Sequence, residues 1–274
     1  MKENLMLKLM YITNNPDLAE LAVQAGVDRI FVDLEILGKV ERQGHLSTVI
    51  SRHTLNDIKA IRERLPSVEL LVRSNPYNDD IAEEIENILK YEPQLIMLPM
   101  YKTVGEVQKV SDLINGRAGL VPLLETPEAL QNIDEVASIN GVTEMYMGLN
   151  DLHLAMNKKF MFEFVASKTV ENFANIVKSK KKKFGFGGIA RIAEGLLPAE
   201  HIIREHDRVG STSVILSRTF HRDVKNLDEM TTMIDLKSEI EKIRECENRA
   251  SSRSIDQKES DHKVICGMIN EIVK

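Results

Sequence analysis

Cysteines and long apolar runs are scarce in this sequence, and both absences exclude classes of protein. Its 274 residues include only two cysteines, so a disulfide framework is not supported and a reducing compartment is indicated. No apolar run approaches the roughly 18 residues that a membrane-spanning helix requires. The N-terminal segment carries Lys2, Glu3 and Lys8 around a short apolar run, which is not the form of a signal peptide. The sequence therefore predicts a cytoplasmic protein with no membrane partner.

An excess of positive charge is also lacking. The formal net charge is −6 at pH 7, so the chain has no basic surface of the kind that binds nucleic acid. A glycine-rich dinucleotide-binding motif is absent after the first strand-like segment. Gly185, Gly187 and Gly188 lie within a later strand-like segment, not at a strand-to-helix turn, so they are weak support for phosphate binding.

What the chain does contain is a repeated alternation of apolar strand-like segments and helical patterns. We predict eight strands, over residues 5–12, 27–34, 69–73, 94–98, 119–124, 144–147, 184–189 and 212–216. Single helices are predicted over 128–139 and 162–180, on either side of the sixth strand. Near-continuous apolar strands separated by helices are typical of a parallel sheet covered on both faces. Eight repeats in this length indicate a closed (β/α)8 TIM barrel, with an open doubly wound sheet as the alternative.

The last part of the chain, from about residue 223, differs from the rest because it is charged and nearly free of glycine and proline. Leu236, Ile240 and Ile243 form one weak apolar stripe at helical spacing, and a second stripe lies within 264–272. We predict a barrel domain over 1–222 and a C-terminal helical extension over 223–274, packed on the barrel or on another subunit. The polar stretch 250–261 is predicted to connect the two helices, with disorder of 251–260 as the alternative.

Two carboxylates follow neighbouring predicted strands. Glu125 follows the apolar run 121–124, and Asp151 follows the run 145–149. If these strands are adjacent and parallel, both side chains emerge at the same edge and lie close enough to hold one cation. Oxygen ligands of this kind suit Mg²⁺ or Mn²⁺, with water and substrate completing the coordination. The alternative is that both are first-turn helix residues stabilised by the helix dipole.

Other charged side chains are predicted at the same end of the barrel, which is the catalytic face of this fold. Asp33 and Glu35 end the second strand and, being two residues apart, face the same way. Arg73 ends the third strand, where its fork of donors is suited to grip a carboxylate or an enolate oxygen. Asp33 and Glu35 then orient a metal-bound water or position Arg73 by a salt bridge. The alternative for Arg73 is a purely structural counter-ion.

Short motifs after five consecutive strands together resemble the HpcH/HpaI aldolase and citrate lyase β-subunit family over about residues 5–222. The motifs are Asp33-Leu34-Glu35, Val72-Arg73-Ser74-Asn75-Pro76, Met97-Leu98-Pro99, Leu124-Glu125-Thr126 and Gly148-Leu149-Asn150-Asp151-Leu152. Each motif is weak alone, whereas their order and spacing are more specific. The resemblance implies a (β/α)8 barrel that makes or breaks carbon–carbon bonds through a metal-bound enolate.

The same resemblance implies roles for particular residues. Glu125 and Asp151 match the ligands of the divalent metal, and Arg73 matches the arginine that stabilises the enolate. Gly148, Asn150 and Asp151 match the backbone segment that holds the substrate carboxylate. The C-terminal helices of relatives pack on or swap between subunits, which implies a homo-oligomer.

One position departs from the family pattern. Pyruvate aldolases of this family carry a histidine directly after the acid of the second strand, and the citrate lyase branch carries an aspartate, but here the residue is Ile36. His45 and His53 in the following segment are candidates for a proton relay, with surface or packing roles as the alternative. The metal-binding half of the predicted site is therefore better supported than the acid–base half.

The resemblance implies a Mg²⁺- or Mn²⁺-dependent lyase or aldolase acting on a small oxo or hydroxy acid, or on its CoA ester. In that reading Asp33, Glu35 or His45 serves the acid–base step. Two alternatives remain open. The barrel binds or senses an oxo acid without turnover, or it is a citrate-lyase-like subunit that needs an acyl-carrier partner.

Overall fold

Eight parallel strands close into a barrel in the computed structural model, which describes residues 6–38, 53–221, 224 and 227–274. Each strand pairs with the next along the chain, and the eighth pairs with the first. The strands are β1 (Lys8–Ile12), β2 (Arg29–Asp33), β3 (Glu69–Arg73), β4 (Leu95–Leu98), β5 (Gly119–Leu124), β6 (Glu144–Met147), β7 (Lys183–Ile189) and β8 (Ser213–Leu216). The predicted (β/α)8 barrel is confirmed.

Helices follow the strands and cover the outside of the barrel. They are α1 (Pro16–Gln24), α2 (Leu55–Arg64), α3 (Ile81–Leu89), α4 (Val104–Ile114), α5 (Pro127–Gln131), α6 (Ile133–Ser138), α7 (Leu149–Ala155), α8 (Glu163–Ala166), α9 (Thr169–Ser179) and α10 (Ala199–Val209), with a 3₁₀ turn at Arg218–Phe220. Buried side chains on their inner faces join those of the strands in one continuous core. Among the described residues, no helix combines the length and the apolar character needed to cross a membrane.

Two helices predicted as single elements are each divided in the structure. Residues 162–180 form α8 and α9, because Lys168 adopts a left-handed conformation with φ of 63° and interrupts the helical hydrogen bonds. Residues 128–139 form α5 and α6, with Asn132 at the junction. Both predictions of one continuous helix were wrong, because the apolar spacing continues across the breaks although the backbone does not.

Strand register brings the predicted site residues to one end of the barrel. Asp33 on β2 is paired directly with Arg73 on β3. Leu124 on β5 is paired with Met147 on β6, so Glu125 directly follows the paired end of β5 and Gly148 directly follows that of β6. Both pairs lie at the carboxyl ends of their strands, where (β/α)8 enzymes carry their active sites.

The opposite end of the barrel interior is closed by a buried ion pair. Arg29 on β2 donates to Glu144 on β6 with distances of 3.1 and 3.0 Å, and its Nε lies 2.9 Å from Glu69. Ser213 on β8 donates to the same Glu144 carboxylate at 2.6 Å. Above this layer the interior is filled by apolar side chains. The barrel is therefore a packed core whose polar groups are satisfied at the amino end.

We expect Arg29→Ala to lower the free energy of unfolding by about 3–5 kcal/mol, because it leaves the Glu144 carboxylate buried without its guanidinium. Urea denaturation followed by circular dichroism measures the change. Arg64→Ala is the matched control, since Arg64 makes a similar pair with Glu20 on the exposed surface and such pairs contribute about 1 kcal/mol or less. Equal effects of the two substitutions would contradict a structural role for the buried pair.

The C-terminal extension consists of three helices, α11 (Leu227–Met233), α12 (Leu236–Ser251) and α13 (Ile255–Val273), and the last two pack on α10. Leu236, Ile240 and Ile243 of α12 are buried, as the first predicted stripe requires. The second predicted stripe is only partly right, because Ile269 of α13 is buried and Met268 and Ile272 are half-buried, but Val264 is 49% exposed and Ile265 is buried in its place.

The prediction of a polar or disordered connection over most of 250–261 was wrong. Helix α13 begins at Ile255, because Ser254 and Gln257 form a capping box that satisfies its first amide groups. The connection between α12 and α13 is therefore short.

Candidate active site at the carboxyl ends of the strands

Arg73 is held by two carboxylates at the barrel mouth. Its Nε donates to Asp33 Oδ1 at 2.8 Å and its Nη2 to Asp33 Oδ2 at 2.7 Å, which is a two-point contact between a guanidinium and a carboxylate. Nη2 also lies 3.3 Å from Glu35 Oε2. The guanidinium carbon lies 5.5 Å from the centre of the Phe31 ring. These contacts fix the orientation of the whole side chain.

The electrostatics of this cluster keep Arg73 charged. Burial alone lowers the pKa of Arg73, but the charges of Asp33 and Glu35, the hydrogen bonds that Arg73 donates to Asp33 and the charge of Glu125 outweigh it and raise the pKa above its usual value. Asp33 and Glu35 are only 2% and 1% exposed. Within the described residues, hydrogen bonds engage Nε and Nη2 of Arg73 but not Nη1. Nη1 is thus the guanidinium nitrogen available to bind a ligand oxygen.

Glu125 occupies a close-fitting position against Gly148. The chain turns away immediately after Glu125, because Thr126 caps α5 and Pro127 begins that helix. The Gly148 amide donates to the Leu124 carbonyl at 2.9 Å, which ties the two strand ends together. A Cβ atom at residue 148 would lie 2.6 Å from Glu125 Cγ and 2.7 Å from Oε1. Only glycine therefore leaves room for the carboxylate in this position.

Asp151 lies in the first turn of α7, which begins directly after Gly148, and its side chain is buried. Two buried carboxylates after adjacent strands form a hard oxygen donor set, and Mg²⁺ in proteins is commonly held by one or two carboxylates with water and substrate in the other positions. No group of three or more His, Cys, Asp or Glu side chains in the described ranges could hold a metal ion. An ion held by Glu125 and Asp151 would therefore need water or substrate in its remaining positions.

The remaining predicted site residues differ in how close they lie to the Arg73 cluster. Asn150 is exposed in the first turn of α7, and its carbonyl contacts His153 Nδ1. His53, which was a candidate relay, uses Nδ1 to accept a hydrogen bond from the Asp33 amide at 2.9 Å. It therefore supports the backbone beneath the Arg73 cluster. His45 lies outside the described residues.

Asn75 and Glu84 form a contact that the sequence did not reveal. Asn75 Oδ1 accepts hydrogen bonds from the amides of Ile36 and Leu37 at 2.9 and 3.0 Å. Glu84 on α3 accepts from the Asn75 amide at 2.7 Å and from its Nδ2 at 3.2 Å. Asn75 thus holds the turn that follows Glu35. Its position two residues after Arg73 was the available signal, but the partner on α3 could not be identified without the fold.

We expect Asn75→Ala to lower kcat/KM by up to about 100-fold, since it releases the turn beside Glu35 and misplacing a catalytic group by about 1 Å has an effect of that size. Asn75→Asp places a carboxylate against Glu84 and should be equally impaired. The double substitution Asn75→Asp with Glu84→Gln exchanges donor and acceptor and should recover most of the activity. Steady-state kinetics on the four proteins measures this coupling. If the double variant is no better than Asn75→Asp, then Asn75 does not act as a positioning residue through Glu84.

Solved structures with the same architecture were compared with the chain. An HpcH/HpaI aldolase/citrate lyase family protein from Burkholderia cenocepacia J2315 superposes with a TM-score of 0.63 at 12% identity, covering 89% of this chain and 96% of that one. The citrate lyase β subunit of M. tuberculosis, complexed with oxaloacetate and magnesium, gives 0.61 at 16% identity, covering 92% and 100%. The protein CitE from Mycobacterium tuberculosis, in complex with magnesium and pyruvate, gives 0.62 at 15% identity, covering 96% and 98%. At these identities the likeness shows the shared fold.

The search of curated proteins found no match. The family model of HpcH/HpaI aldolase/citrate lyase matches residues 8–185, which is more than half of the chain and includes β1 to β6 and all the site residues described above. The resemblance seen in the sequence motifs is therefore confirmed. The chain belongs to the HpcH/HpaI aldolase/citrate lyase family.

Proposed function

We propose that this protein is a divalent-metal-dependent lyase or aldolase that cleaves or forms a carbon–carbon bond in a small oxo or hydroxy acid. The observation that carries the proposal is the single mouth shared by Arg73, Glu125 and Asp151. Glu125 acts electrostatically on Arg73, and Asp151 follows the strand next to that of Glu125. A guanidinium and a pair of carboxylates at one end of a barrel can bind an anionic substrate and a cation.

Glu125 and Asp151 would hold the metal ion, which as a Lewis acid would polarise the substrate oxygens. Two of the three solved structures described above are complexes with magnesium, one together with oxaloacetate and the other with pyruvate. The ligands of those two complexes support Mg²⁺ as the metal ion and a small oxo acid as the substrate of this chain, with Mn²⁺ as the other candidate ion. The substrate set includes CoA esters of such acids.

Arg73 has the role of stabilising negative charge that develops as the bond breaks. The two-point contact with Asp33 fixes the guanidinium before substrate arrives, so its Nη1 donors need no reorganisation during the reaction. Preorganised donors of this kind are usually the largest contribution to catalysis.

The backbone after β6 has the role of binding the substrate carboxylate. The amides in the first turn of α7, from Leu149 to Asp151, have no acceptor within the helix, and amide groups at such a terminus favour an anion. Gly148 and Asn150 form part of the same segment. This segment would bind the substrate carboxylate, and Arg73 would bind a neighbouring oxygen.

In the cleavage direction, a substrate hydroxyl must lose its proton. We propose that a water oriented by Asp33 or Glu35 accepts it, or that His45 does so. Ile36, which stands where relatives carry a histidine or aspartate, cannot exchange a proton. General base catalysis of this kind contributes about 10²–10⁴-fold to the rate.

The test is release of pyruvate or an acetyl group from a panel of hydroxy acids and CoA esters with Mg²⁺ or Mn²⁺. We expect turnover of at least one member, loss of turnover with a chelator, and weaker metal binding in Glu125→Gln. Glu128→Gln is the matched control, since Glu128 is exposed on α5 three residues further along. A metal-loaded protein that turns over no member, together with unchanged metal affinity in Glu125→Gln, would overturn the proposal.

Ile36 favours a second candidate function, a barrel that binds an oxo acid without turnover. Its side chain is 52% exposed beside Glu35, where it offers no acid or base. Thermal-shift measurements with oxaloacetate and pyruvate, run beside product assays, separate the two functions. Stabilisation without product would favour binding alone, whereas co-purification of a small carrier protein would indicate a citrate-lyase-like subunit.

A further inference from the structure

One side of the barrel mouth is apolar. The charged residues of the candidate site end or follow β2, β3, β5 and β6, whereas the inner residues at the carboxyl ends of β7, β8 and β1 are Gly188, Ile215 and Ile12. Ile12 and Ile215 pack against the apolar side chains that fill the barrel. All three residues are half-buried, so solvent reaches them. Because β7, β8 and β1 are consecutive in the closed sheet, Ile12, Gly188 and Ile215 form one uncharged surface, here called the apolar wall.

A bulge in β7 places a glycine instead of an isoleucine in the apolar wall. Gly185 is paired with Ser213 and Gly188 with Ile215, so β7 has one more residue than β8 between these two pairs. Without the extra residue, the alternation of side chains along a strand would turn Ile189 toward the barrel axis. With it, Ile189 packs in the outer core. Bulges next to active sites commonly re-aim a side chain in this way.

The bulge is well supported, and it leaves open space. The Tyr146 hydroxyl donates to the Gly187 carbonyl at 2.7 Å and accepts a hydrogen bond from the Ile215 amide at 2.9 Å. A Cβ atom at residue 188 would have the Ile215 carbonyl oxygen at 3.3 Å, and no other atom of the described residues beyond its chain neighbours would lie within 4 Å. The β7 part of the apolar wall therefore has room for a ligand.

The apolar wall adjoins the guanidinium of the candidate site. Ile12 is paired with Phe31 on β2, and the guanidinium carbon of Arg73 lies 5.5 Å from the centre of the Phe31 ring. Because β2 lies between β1 and β3, Phe31 continues the apolar surface from Ile12 to Arg73. A substrate with an oxygen at Arg73 can therefore extend its carbon chain over Phe31 toward the apolar wall.

The loops beside the apolar wall also carry exposed apolar side chains. Leu196 lies in the loop after β7, and Ile36 and Leu37 lie in the turn after β2. In the loop after β7, Arg191 and Glu194 form an ion pair with each other, so their charges offset. An apolar group bound between these loops would remove apolar surface from water, which is favourable.

We infer that the apolar wall binds an uncharged aliphatic or aromatic substituent of the substrate, which is then an oxo or hydroxy acid with one carboxylate and an extended or branched carbon chain. This inference rests on the proposed function for the placement of the oxo-acid group. A second carboxylate at the apolar wall would lose water without gaining a donor from the side chains of Ile12, Gly188 or Ile215. Each buried methylene group instead strengthens binding about fourfold.

The experiment compares pyruvate, 5-methyl-2-oxohexanoate and 2-oxoglutarate by isothermal titration of the full-length protein in excess Mg²⁺. The last two acids have equal numbers of non-hydrogen atoms and differ only in an isopropyl group in place of the second carboxylate. We expect 5-methyl-2-oxohexanoate to bind at least about tenfold more tightly than either of the other acids. Binding of 2-oxoglutarate as tight as that of 5-methyl-2-oxohexanoate, or no gain of the latter over pyruvate, would overturn the inference.

Two substitutions change the apolar wall in opposite ways. Ile215→Ala removes apolar surface and should lower the preference for 5-methyl-2-oxohexanoate over pyruvate at least about fourfold. Gly188→Val fills the open space at β7 and should lower the preference by at least as much. Ile176→Ala is the matched control, since Ile176 is a half-buried isoleucine on α9, outside the barrel. Thermal unfolding verifies that each variant is folded, and a folded Ile215→Ala or Gly188→Val protein with the full preference would contradict the assignment.

Turnover measured separately distinguishes this inference from the proposed function. The three acids lack the hydroxyl group that cleavage deprotonates, so their binding does not depend on lyase activity. A protein that prefers 5-methyl-2-oxohexanoate but cleaves no hydroxy acid retains the apolar wall as a binding surface and loses the proposed activity. A protein that cleaves hydroxy acids without this preference retains the activity, and the inference about the apolar wall fails.

Discussion

We expect Arg73→Lys to lower kcat by about 10²–10³-fold, the loss seen when one donor that stabilises transition-state charge is removed. Lysine keeps the positive charge but not the fork, so it cannot contact both oxygens of Asp33 and still direct a donor at the substrate. The two buried carboxylates would draw the ammonium toward themselves and away from the reacting oxygen. Steady-state rates of pyruvate or acetyl release measure the loss.

Lysine is the informative substitution because Arg73→Met would leave Asp33 and Glu35 buried without a counter-ion. Removing one partner of such a buried pair destabilises a protein by about 3–5 kcal/mol, which would confuse a catalytic loss with unfolding. Arg64→Lys is the matched control, since Arg64 makes a similar contact with Glu20 on the outer surface. If Arg73→Lys retains wild-type kcat while both variants remain folded, Arg73 is only a counter-ion for the acids around it.

The barrel was predictable because most strands have centres buried on both faces and therefore form near-continuous apolar runs in the sequence. The residues that follow those runs must share one end of a closed parallel barrel, which is why Asp33 and Arg73 could be placed near each other before their register was known. The division between α8 and α9 was not predictable in this way. It depends on the left-handed backbone of Lys168, a residue with no particular preference for that conformation.

Contacts between elements that are distant along the chain could not be predicted from the sequence. The hydrogen bonds from the Ile36 and Leu37 amides to Asn75 depend on the segment after β3 lying beside the turn after β2, and on Glu84 of α3 holding Asn75 there. The start of α13 did carry a local signal, Ser254 followed three residues later by Gln257. The polar composition of that stretch favours a connection, but in the structure the cap starts a helix there. The pairing of Asp33 with Arg73 follows from topology, whereas the Asn75 contact follows only from tertiary packing.

Gly148→Ala is expected to weaken metal binding and to lower kcat/KM about 100-fold, the effect of misplacing a catalytic group by about 1 Å. The added methyl group would lie 2.6 Å from Glu125 Cγ, 2.7 Å from Oε1 and 3.0 Å from Cδ. Carbon atoms pack at about 3.5–4.0 Å, so the carboxylate must move. It cannot move without leaving the position it shares with the start of α7. Isothermal titration with Mg²⁺ or Mn²⁺ measures the affinity, and the activity assay measures the rate.

Gly105→Ala is the matched control for this substitution. Gly105 lies in α4, where the nearest atom to an added Cβ is Thr103 Oγ1 at 3.9 Å, so alanine is accommodated there. It should also favour the helix slightly, since glycine is the poorer helix former. Both variants should fold, because the clash at Gly148 is with a side chain at the barrel mouth. Unchanged metal affinity in folded Gly148→Ala would mean that the Glu125 carboxylate does not need its observed position to bind the ion, and the assignment of Glu125 as a ligand would fail.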